Sequence, residues 1–221
     1  MTPSTRGLVA GAVIAIANIA VTIALGAGTA GAATMPAEGT YIADMTSAGE
    51  NPMTMAVTVD GDKVAAYATN GTDEEAWFFG TQTAGTMHLT SMYADRIDAV
   101  YDGSQLSGTV TMNDGGTSRT FSAPAVAAPA GIYTATMGGT RASWVVRPNR
   151  TMMGVMDNSA PGDHKVTDQL AAEQQQYRDQ VRQMRIDQQM RQAPPMRYGT
   201  WSATIDATPV TATRVTGGMR F

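Results

Sequence analysis

The sequence predicts a mainly β protein, in which an N-terminal single transmembrane helix precedes an antiparallel β-meander and a second small β region with one long polar helix. An apolar run opens the chain, short alternating segments with Asp-Gly and Asn-Gly turns fill its middle, and a stretch without glycine or proline lies near its end. Five parts follow from this order. They are a transmembrane anchor or uncleaved signal over 1–33, a β-domain over 37–123, a Pro/Ala linker over 124–130, a second region over 131–216 and a tail over 217–221.

The opening segment has the length and composition of a membrane helix. Leu8–Leu25 is almost entirely apolar, and with the small residues that follow it is long enough for a hydrocarbon core of about 30 Å. Gly7 and Gly11 have the small-xxx-small spacing that lets helices pack closely, and Asn18 can form a hydrogen bond to a neighbouring helix. We therefore expect this helix to pack against other membrane helices.

Retention or cleavage of this segment decides where the protein is found. Arg6 on the cytoplasmic side would leave the bulk of a single-pass protein outside the cell membrane. The alternative is a secretory signal, because Ala30-Gly31-Ala32 has the small-residue pattern of a cleavage site. Gly26–Gly31 also spells a GxGxxG fingerprint, but it follows an apolar helix and not a strand, so we reject a dinucleotide site.

The central region reads as a series of short strands. Met53–Val59 and Lys63–Thr69 flank Asp60-Gly61, which is the strongest short signal for a hairpin. Further β-patterned segments cover 76–79, 86–92, 97–101, 105–112 and 117–123. Together they predict an antiparallel meander that forms a small barrel or a sandwich. Methionines alternate along these strands and are expected to fill the core. They are Met53, Met55, Met87, Met92 and Met112.

The second region combines strands with the polar helix. Arg141–Val146 and Thr151–Met156 predict a hairpin, and Trp201–Val215 predicts a final β-segment. Residues 166–192 contain no glycine or proline and predict a helix. Its apolar stripe is too narrow for burial, so we expect its arginines to contact an acidic partner. These arginines are Arg178, Arg182, Arg185 and Arg191.

No cluster of residues in the sequence points to catalysis. The absence of cysteine excludes disulfides, thiolate metal sites and cysteine nucleophiles. His88 and His164 are isolated, and no known nucleophile, phosphate-binding or zinc motif occurs. The carboxylates at 73–75 and 95–102 lack the spacing of a calcium loop and are expected in solvated turns. We therefore expect no enzyme activity, no metal and no cofactor.

Charge is divided unevenly between the two regions. Residues 34–130 are acidic and residues 131–221 are rich in arginine, although the net charge is only −4. The two regions either neutralise each other or present complementary fields that orient a partner. The mild basic charge and the few aromatics interleaved with it argue against nucleic acid.

Part of the chain resembles a known β-domain. Val64–Gly80 (VAAYATNGTDEEAWFFG), the strand LSGTVTM and the segment FSAPAVAAPAGIY resemble a small domain of exported and membrane-anchored actinobacterial proteins, mycobacterial ones included. The resemblance covers roughly 39–133 and implies the fold but no activity. The layout is also similar to that of accessory subunits of actinobacterial membrane assemblies, the respiratory supercomplex among them.

From these features we expect a non-catalytic, membrane-anchored, extracytoplasmic accessory or scaffolding subunit of a larger envelope or respiratory complex. Its partners would be other membrane-protein subunits and the lipid bilayer. The alternative is a secreted β-domain that binds a cell-wall or lipid ligand at a barrel mouth or a sheet face. Alternation along a strand lets only part of the candidate ligand face point inward. This face consists of Tyr67, Trp77, Phe78 and Phe79.

Overall fold

The computed structural model of the protein describes residues 32–45, 52–113, 118–158, 179–181, 183–184 and 187–221, all within one compact unit. The strands in this part of the chain are β1 (Glu38–Met45), β2 (Met53–Asp60), β3 (Lys63–Thr69), β4 (Glu75–Thr83), β5 (Thr86–Thr90), β6 (Arg96–Tyr101), β7 (Gln105–Thr111), β8 (Ser118–Pro124), β9 (Gly131–Met137), β10 (Thr140–Val146), β11 (Met152–Asp157), β12 (Met190–Gln192), β13 (Ser202–Ile205), β14 (Thr208–Thr211) and β15 (Thr213–Arg214). The protein is therefore mainly β, as its sequence predicts.

Some of the predicted features lie outside the described residues. These features are nearly all of the anchor, most of the polar helix and six of the candidate contact residues. The six residues are Gly7, Gly11, Asn18, Arg178, Arg182 and Arg185. In the part of the chain that the structure describes, no helix has both the length and the apolar character needed to cross a bilayer.

The first sheet is an eight-stranded antiparallel meander that nearly closes on itself. Its strands follow one another in chain order from β1 to β8. The predicted turn between β2 and β3 is present one residue later than Asp60-Gly61, because Gly61 and Asp62 form the turn and Asp60 pairs with Lys63. The two ends of the sheet meet where Tyr41 forms a bridge with Ala125 and the Val126 N–H donates to the Thr40 carbonyl at 2.8 Å. The sheet is therefore barrel-like, which agrees with the small barrel and not with the sandwich among the two predicted architectures.

Side chains fill the inside of the barrel-like sheet. Along β6 and β8, buried residues alternate strictly with exposed ones, because successive side chains of a strand point to opposite faces. Six methionines belong to this core: Met35, Met45, Met53, Met55, Met87 and Met112. Their flexible thioether chains suit the irregular interior of a small barrel. The prediction for Met92 is wrong, because this residue lies in the turn after β5 and is 45% exposed.

The second sheet covers one side of the barrel-like sheet. It has the order β12-β11-β10-β9-β15, and β13 pairs with β14 in a separate hairpin. Apolar side chains from both sheets form a shared cluster that includes Ala56, Ala65, Ile132 and Val145. Two ion pairs also join the sheets, Arg141 to Glu75 and Arg147 to Asp44, each at 2.8 Å. We call the region between the two sheets the seam.

The predicted helix over 166–192 is wrong at its C-terminal end. Residues 179–181, 183 and 184 are helical, but Met190–Gln192 forms β12 and pairs with β11, so that Arg191 lies opposite Met156. Helix propensity is a weak signal that tertiary context can override. Here the open edge of β11 supplies backbone hydrogen-bond partners that a helical Met190–Gln192 would not use.

Candidate functional site

A pocket of about 400 Å³ lies where the second sheet ends over the outer surface of β4. Both sheets contribute to it, because β4 supplies one wall and part of the floor, and β10 and β11 supply the rest of the floor. The turn after β5 and the last described residue complete the lining. The lining residues are Glu75, Ala76, Trp77, Phe79, Met92, Tyr93, Arg141, Asp157, Gln188 and Phe221.

The aromatic wall of the pocket follows from the alternation of β4. Trp77 and Phe79 are two residues apart and lie on the same outer face, with ring centroids 5.6 Å apart and only 10° between the ring planes. Phe78, between them, is fully buried in the core of the barrel-like sheet. Tyr67 lies opposite Trp77 on β3, with ring centroids 4.5 Å apart. Three of the four predicted ligand-face residues are therefore on the outer face, and only two of them line the pocket.

The wall is completed by a residue from the far end of the sequence. Phe221 places its ring edge-on to Trp77, with centroids 4.9 Å apart, and edge-on to Phe79, with centroids 5.5 Å apart. Edge-to-face packing is a favoured arrangement, because the positive edge of one ring meets the negative face of another. Within the predicted tail over 217–221, this apolar side chain therefore packs on an aromatic surface of the protein.

A buried ion pair forms the floor of the pocket. The Arg141 Nη2 donates to Glu75 Oε1 at 2.8 Å, and the Tyr67 hydroxyl donates to Glu75 Oε2 at 2.9 Å. Glu75 is only 4% exposed, and both of its carboxylate oxygens accept hydrogen bonds from protein groups. The expectation that the carboxylates of 73–75 lie in a solvated turn is wrong for Glu75, because this residue already belongs to β4 and points into the seam.

Burial shapes the ionisation of these floor residues. It raises the pKa of the Glu75 carboxyl, and the nearby Arg141 charge only partly opposes this effect. Burial acts to lower the pKa of Arg141, but Glu75, Asp157 and Tyr67 together outweigh it, so the pKa of the guanidinium is raised. Burial and the Glu75 charge raise the pKa of Tyr67 well above its usual value. Tyr67 is thus a neutral hydrogen-bond donor at physiological pH.

Asp157 adds a second carboxylate to the floor. It is 6% exposed, and its Oδ2 accepts a hydrogen bond from Gln188 Nε2 at 3.3 Å. Its charge also acts on both members of the Glu75–Arg141 pair. The polar floor is therefore a connected group of residues, and the walls above it are apolar.

The candidate partner contact that the structure describes, Arg191, lies elsewhere. It is on β12, where its Nη2 forms an ion pair with Asp206 Oδ1 at 2.9 Å. Both side chains are about half exposed. An intramolecular partner therefore already occupies this arginine.

Sequence reasoning missed the residues that build the floor. Glu75 stands directly before the aromatic segment of β4, and a charged residue next to a buried strand is the only local sign of its role. Arg141 stands 66 residues further along the chain, and nothing in the sequence joins the two. Among the described residues there is also no group of three His, Asp or Glu side chains that could hold a metal ion.

No family model, curated protein or solved structure matches the chain. The expectations from the actinobacterial resemblance thus rest on the sequence motifs alone. The fold and the pocket provide the basis for a functional proposal.

Proposed function

We propose that the protein is a non-catalytic binding module that holds a small, largely apolar ligand in the pocket between β4 and the second sheet. The observation that carries this proposal is the pocket itself, about 400 Å³ in volume, with aromatic walls over a polar floor. Ligand sites typically have volumes of about 300–1,000 Å³ and combine mostly apolar walls with a few placed polar groups.

The position of the pocket supports a specific site for ligands. Trp77 and Phe79 are only partly covered by protein, and the strand that carries them pairs with β3 at both positions. Because side chains alternate along a strand, their rings lie on the outer face, away from the core of the barrel-like sheet. Met92, at the rim, adds an exposed and flexible apolar side chain.

The floor supports binding in preference to chemistry. Glu75 uses one carboxylate oxygen for Arg141 and the other for Tyr67, so the protein itself already supplies a hydrogen-bond donor to each oxygen. A general base needs its acceptor oxygen within hydrogen-bond reach of the reacting group. We infer that the ion pair holds the two sheets together and fixes the shape of the pocket.

This proposal takes up the alternative drawn from the sequence, a β-domain that binds a lipid or cell-wall ligand, and places the site on a sheet face. The accessory-subunit hypothesis depends mainly on the anchor and on three arginines that lie outside the described residues. Arg191, the fourth, is paired with Asp206. Membrane anchoring and assembly with other subunits stay predictions from the sequence and are compatible with a ligand pocket.

The apolar dye N-phenyl-1-naphthylamine tests the proposed function, because its fluorescence rises when it leaves water. We expect saturable binding to the full chain, weakened roughly fivefold or more in Trp77→Leu by the loss of aromatic contact area. Trp201→Leu is the matched control. Trp201 is also a partly buried tryptophan on an outer surface, but it stacks on Tyr133 in the second region.

Unchanged dye affinity in Trp201→Leu, together with weaker binding in Trp77→Leu, would support the pocket. The absence of saturable binding, or an equal loss in both variants, would contradict the proposed function. Circular dichroism of both variants would confirm that the β fold is retained.

A further inference from the structure

One wall of the pocket belongs to neither sheet. The 216–221 segment follows β15 and crosses the outer surface of the barrel-like sheet. Gly217 fixes its start, because a Cβ at this position would lie 2.4 Å from the Lys63 carbonyl oxygen and 2.7 Å from the Asp60 nitrogen. Met219 then packs against the apolar cluster of the seam. The first half of the segment is thus held by close backbone and side-chain packing.

The end of the segment is held more loosely. The Arg220 Nη1 donates only to carbonyls of its own segment, those of Gly217 and Met219. Its Nη2 donates to the Gly80 carbonyl of the barrel-like sheet at 3.3 Å, and its guanidinium carbon lies 5.4 Å from the Phe79 ring centroid. Phe221 is 50% exposed and is held through the contacts of its ring. Chain segments that make few buried contacts open at a low cost in free energy.

The Phe221 ring covers the surface that an aromatic ligand would use. It lies edge-on to both Trp77 and Phe79, with angles of 77° and 73° between the ring planes. The Arg141 guanidinium carbon lies 5.8 Å from its centroid. Each of these contacts depends on the charge distribution of an aromatic ring and not on apolar area alone. An aliphatic chain in the same place would not reproduce them.

We propose that the Phe221 ring is displaceable from its position against Trp77 and Phe79 at the wall of the pocket, and that the ligand carries an aromatic ring that takes its place there. This inference rests on the proposed function, because it names the class of ligand for the same pocket. Release of the segment beyond Met219 is sufficient for the exchange, so the close packing at Gly217 is kept.

Isothermal titration of the full chain with 1-naphthol and with 1-octanol tests the inference. An occupant that competes with the ligand lowers the apparent affinity by the fraction of molecules in which the site is free. Phe221→Ala should therefore bind 1-naphthol more tightly than the unsubstituted chain, by roughly fivefold. We expect a smaller gain for 1-octanol. A fixed wall would have the opposite effect, because its removal would weaken the binding of both compounds.

Tyr198→Ala is the matched control for this substitution. Tyr198 is 40% exposed, lies edge-on to Trp201 with centroids 5.1 Å apart, and has the Arg150 guanidinium 5.2 Å from its ring. Its surroundings therefore resemble those of Phe221, but it does not line the pocket. The affinity of Tyr198→Ala for both compounds should equal that of the unsubstituted chain.

Equal or weaker binding of 1-naphthol by Phe221→Ala would overturn the displacement and leave the proposed function intact. An equal gain for 1-octanol would overturn the assignment of an aromatic ligand. If neither compound binds the unsubstituted chain or Phe221→Ala, both this inference and the proposed function fail. A 4-fluorophenylalanine placed at position 221 gives a second readout, since its ¹⁹F resonance should move to the solvent-exposed value as 1-naphthol saturates the site.

Discussion

Nearly every residue of β2 and β3 is buried, whereas β6 and β8 alternate between buried and exposed residues. We call β1–β4 the covered half of the barrel-like sheet and β5–β8 the open half. Both halves point apolar residues into the same core. Only the covered half has a second apolar face, on which Ala56, Ala65 and Tyr67 meet the second sheet.

The difference shows how one meander specifies two environments. Strands with continuous apolar character are buried on both faces, and strictly alternating strands have one face in water. On the open half the outer face is polar, and Ser107 and Ser122 form a cross-strand hydrogen-bonded pair there. The pocket lies at the border between the two halves, where the second sheet ends and Trp77 and Phe79 stay partly exposed.

The largest effect should come from a charge on the outer face of the covered half. Ala56 is fully buried in the seam, so Ala56→Asp would place an unpaired carboxylate between the sheets and cost about 4 kcal/mol of unfolding free energy. Thr120→Asp places the same charge on the exposed outer face of β8 and should change stability by less than about 0.5 kcal/mol. Urea unfolding measures both. Similar losses in the two variants would contradict the division into halves.

A smaller but substantial loss of unfolding free energy should follow from breaking the Arg141–Glu75 ion pair of the seam. Arg141→Gln leaves Glu75 buried without its cation, which should cost about 3 kcal/mol at neutral pH. The loss should shrink in acid, where Glu75 takes up a proton. Asp98→Asn removes the exposed His88–Asp98 pair of the open half and should cost less than about 0.5 kcal/mol. Unfolding curves for both variants at two pH values would separate these cases.

The smallest effect should be a pH dependence of unfolding free energy that has opposite sign for two carboxyl groups, Glu75 in the covered half and Asp102 in the open half. Burial raises the pKa of Glu75 above 4.5, so its contribution to stability is complete below pH 4.5 and is lost as pH rises through the raised value. Hydrogen bonds from the Gln105 backbone and from Ser104 lower the pKa of Asp102 from 3.8 to about 2. Its contribution is therefore present above pH 3.8 and is lost as pH falls toward 2.

Two conservative substitutions separate the contributions of Glu75 and Asp102 to the pH dependence of the unfolding free energy. Glu75→Gln should reduce the decline of stability above pH 4.5, and Asp102→Asn should reduce the decline below pH 3.8, where Asp44 contributes the remainder. The unfolding free energy, measured from acid to neutral pH, gives both results. A pH dependence of stability that is unchanged in the corresponding variant would contradict the assignment to that carboxyl group.

Much of the fold could be predicted from the sequence, because its signals are local. The Asp60-Gly61 dipeptide between two β-forming segments predicts the β2–β3 hairpin, which the structure confirms. The predicted hairpin of β10 and β11 is likewise confirmed. The exception is β12, where pairing with the edge of β11 overrides a helical composition. Local propensity cannot report which edge a distant segment will meet.

The candidate site could be predicted only in part, because most of its contacts are distant in sequence. The aromatic segment of β4 predicts Trp77 and Phe79 as ligand-face residues, which line the pocket. Alternation along the strand explains why Phe78 points into the core of the barrel-like sheet instead. The partners that turn this face into a pocket, Arg141 and Phe221, lie far along the chain. Nothing in a single sequence shows that they pack against β4.

The most direct test of the account is an NMR titration of the indole N–H groups with 1-naphthol. The chain has three tryptophans: Trp77 lines the pocket, while Trp144 and Trp201 lie in the core of the second region or against it. We predict a saturable shift of the Trp77 resonance, with the Trp144 and Trp201 resonances unchanged. A Trp77 resonance that stays in place, or shifts of similar size at all three tryptophans, would contradict a specific ligand pocket on β4.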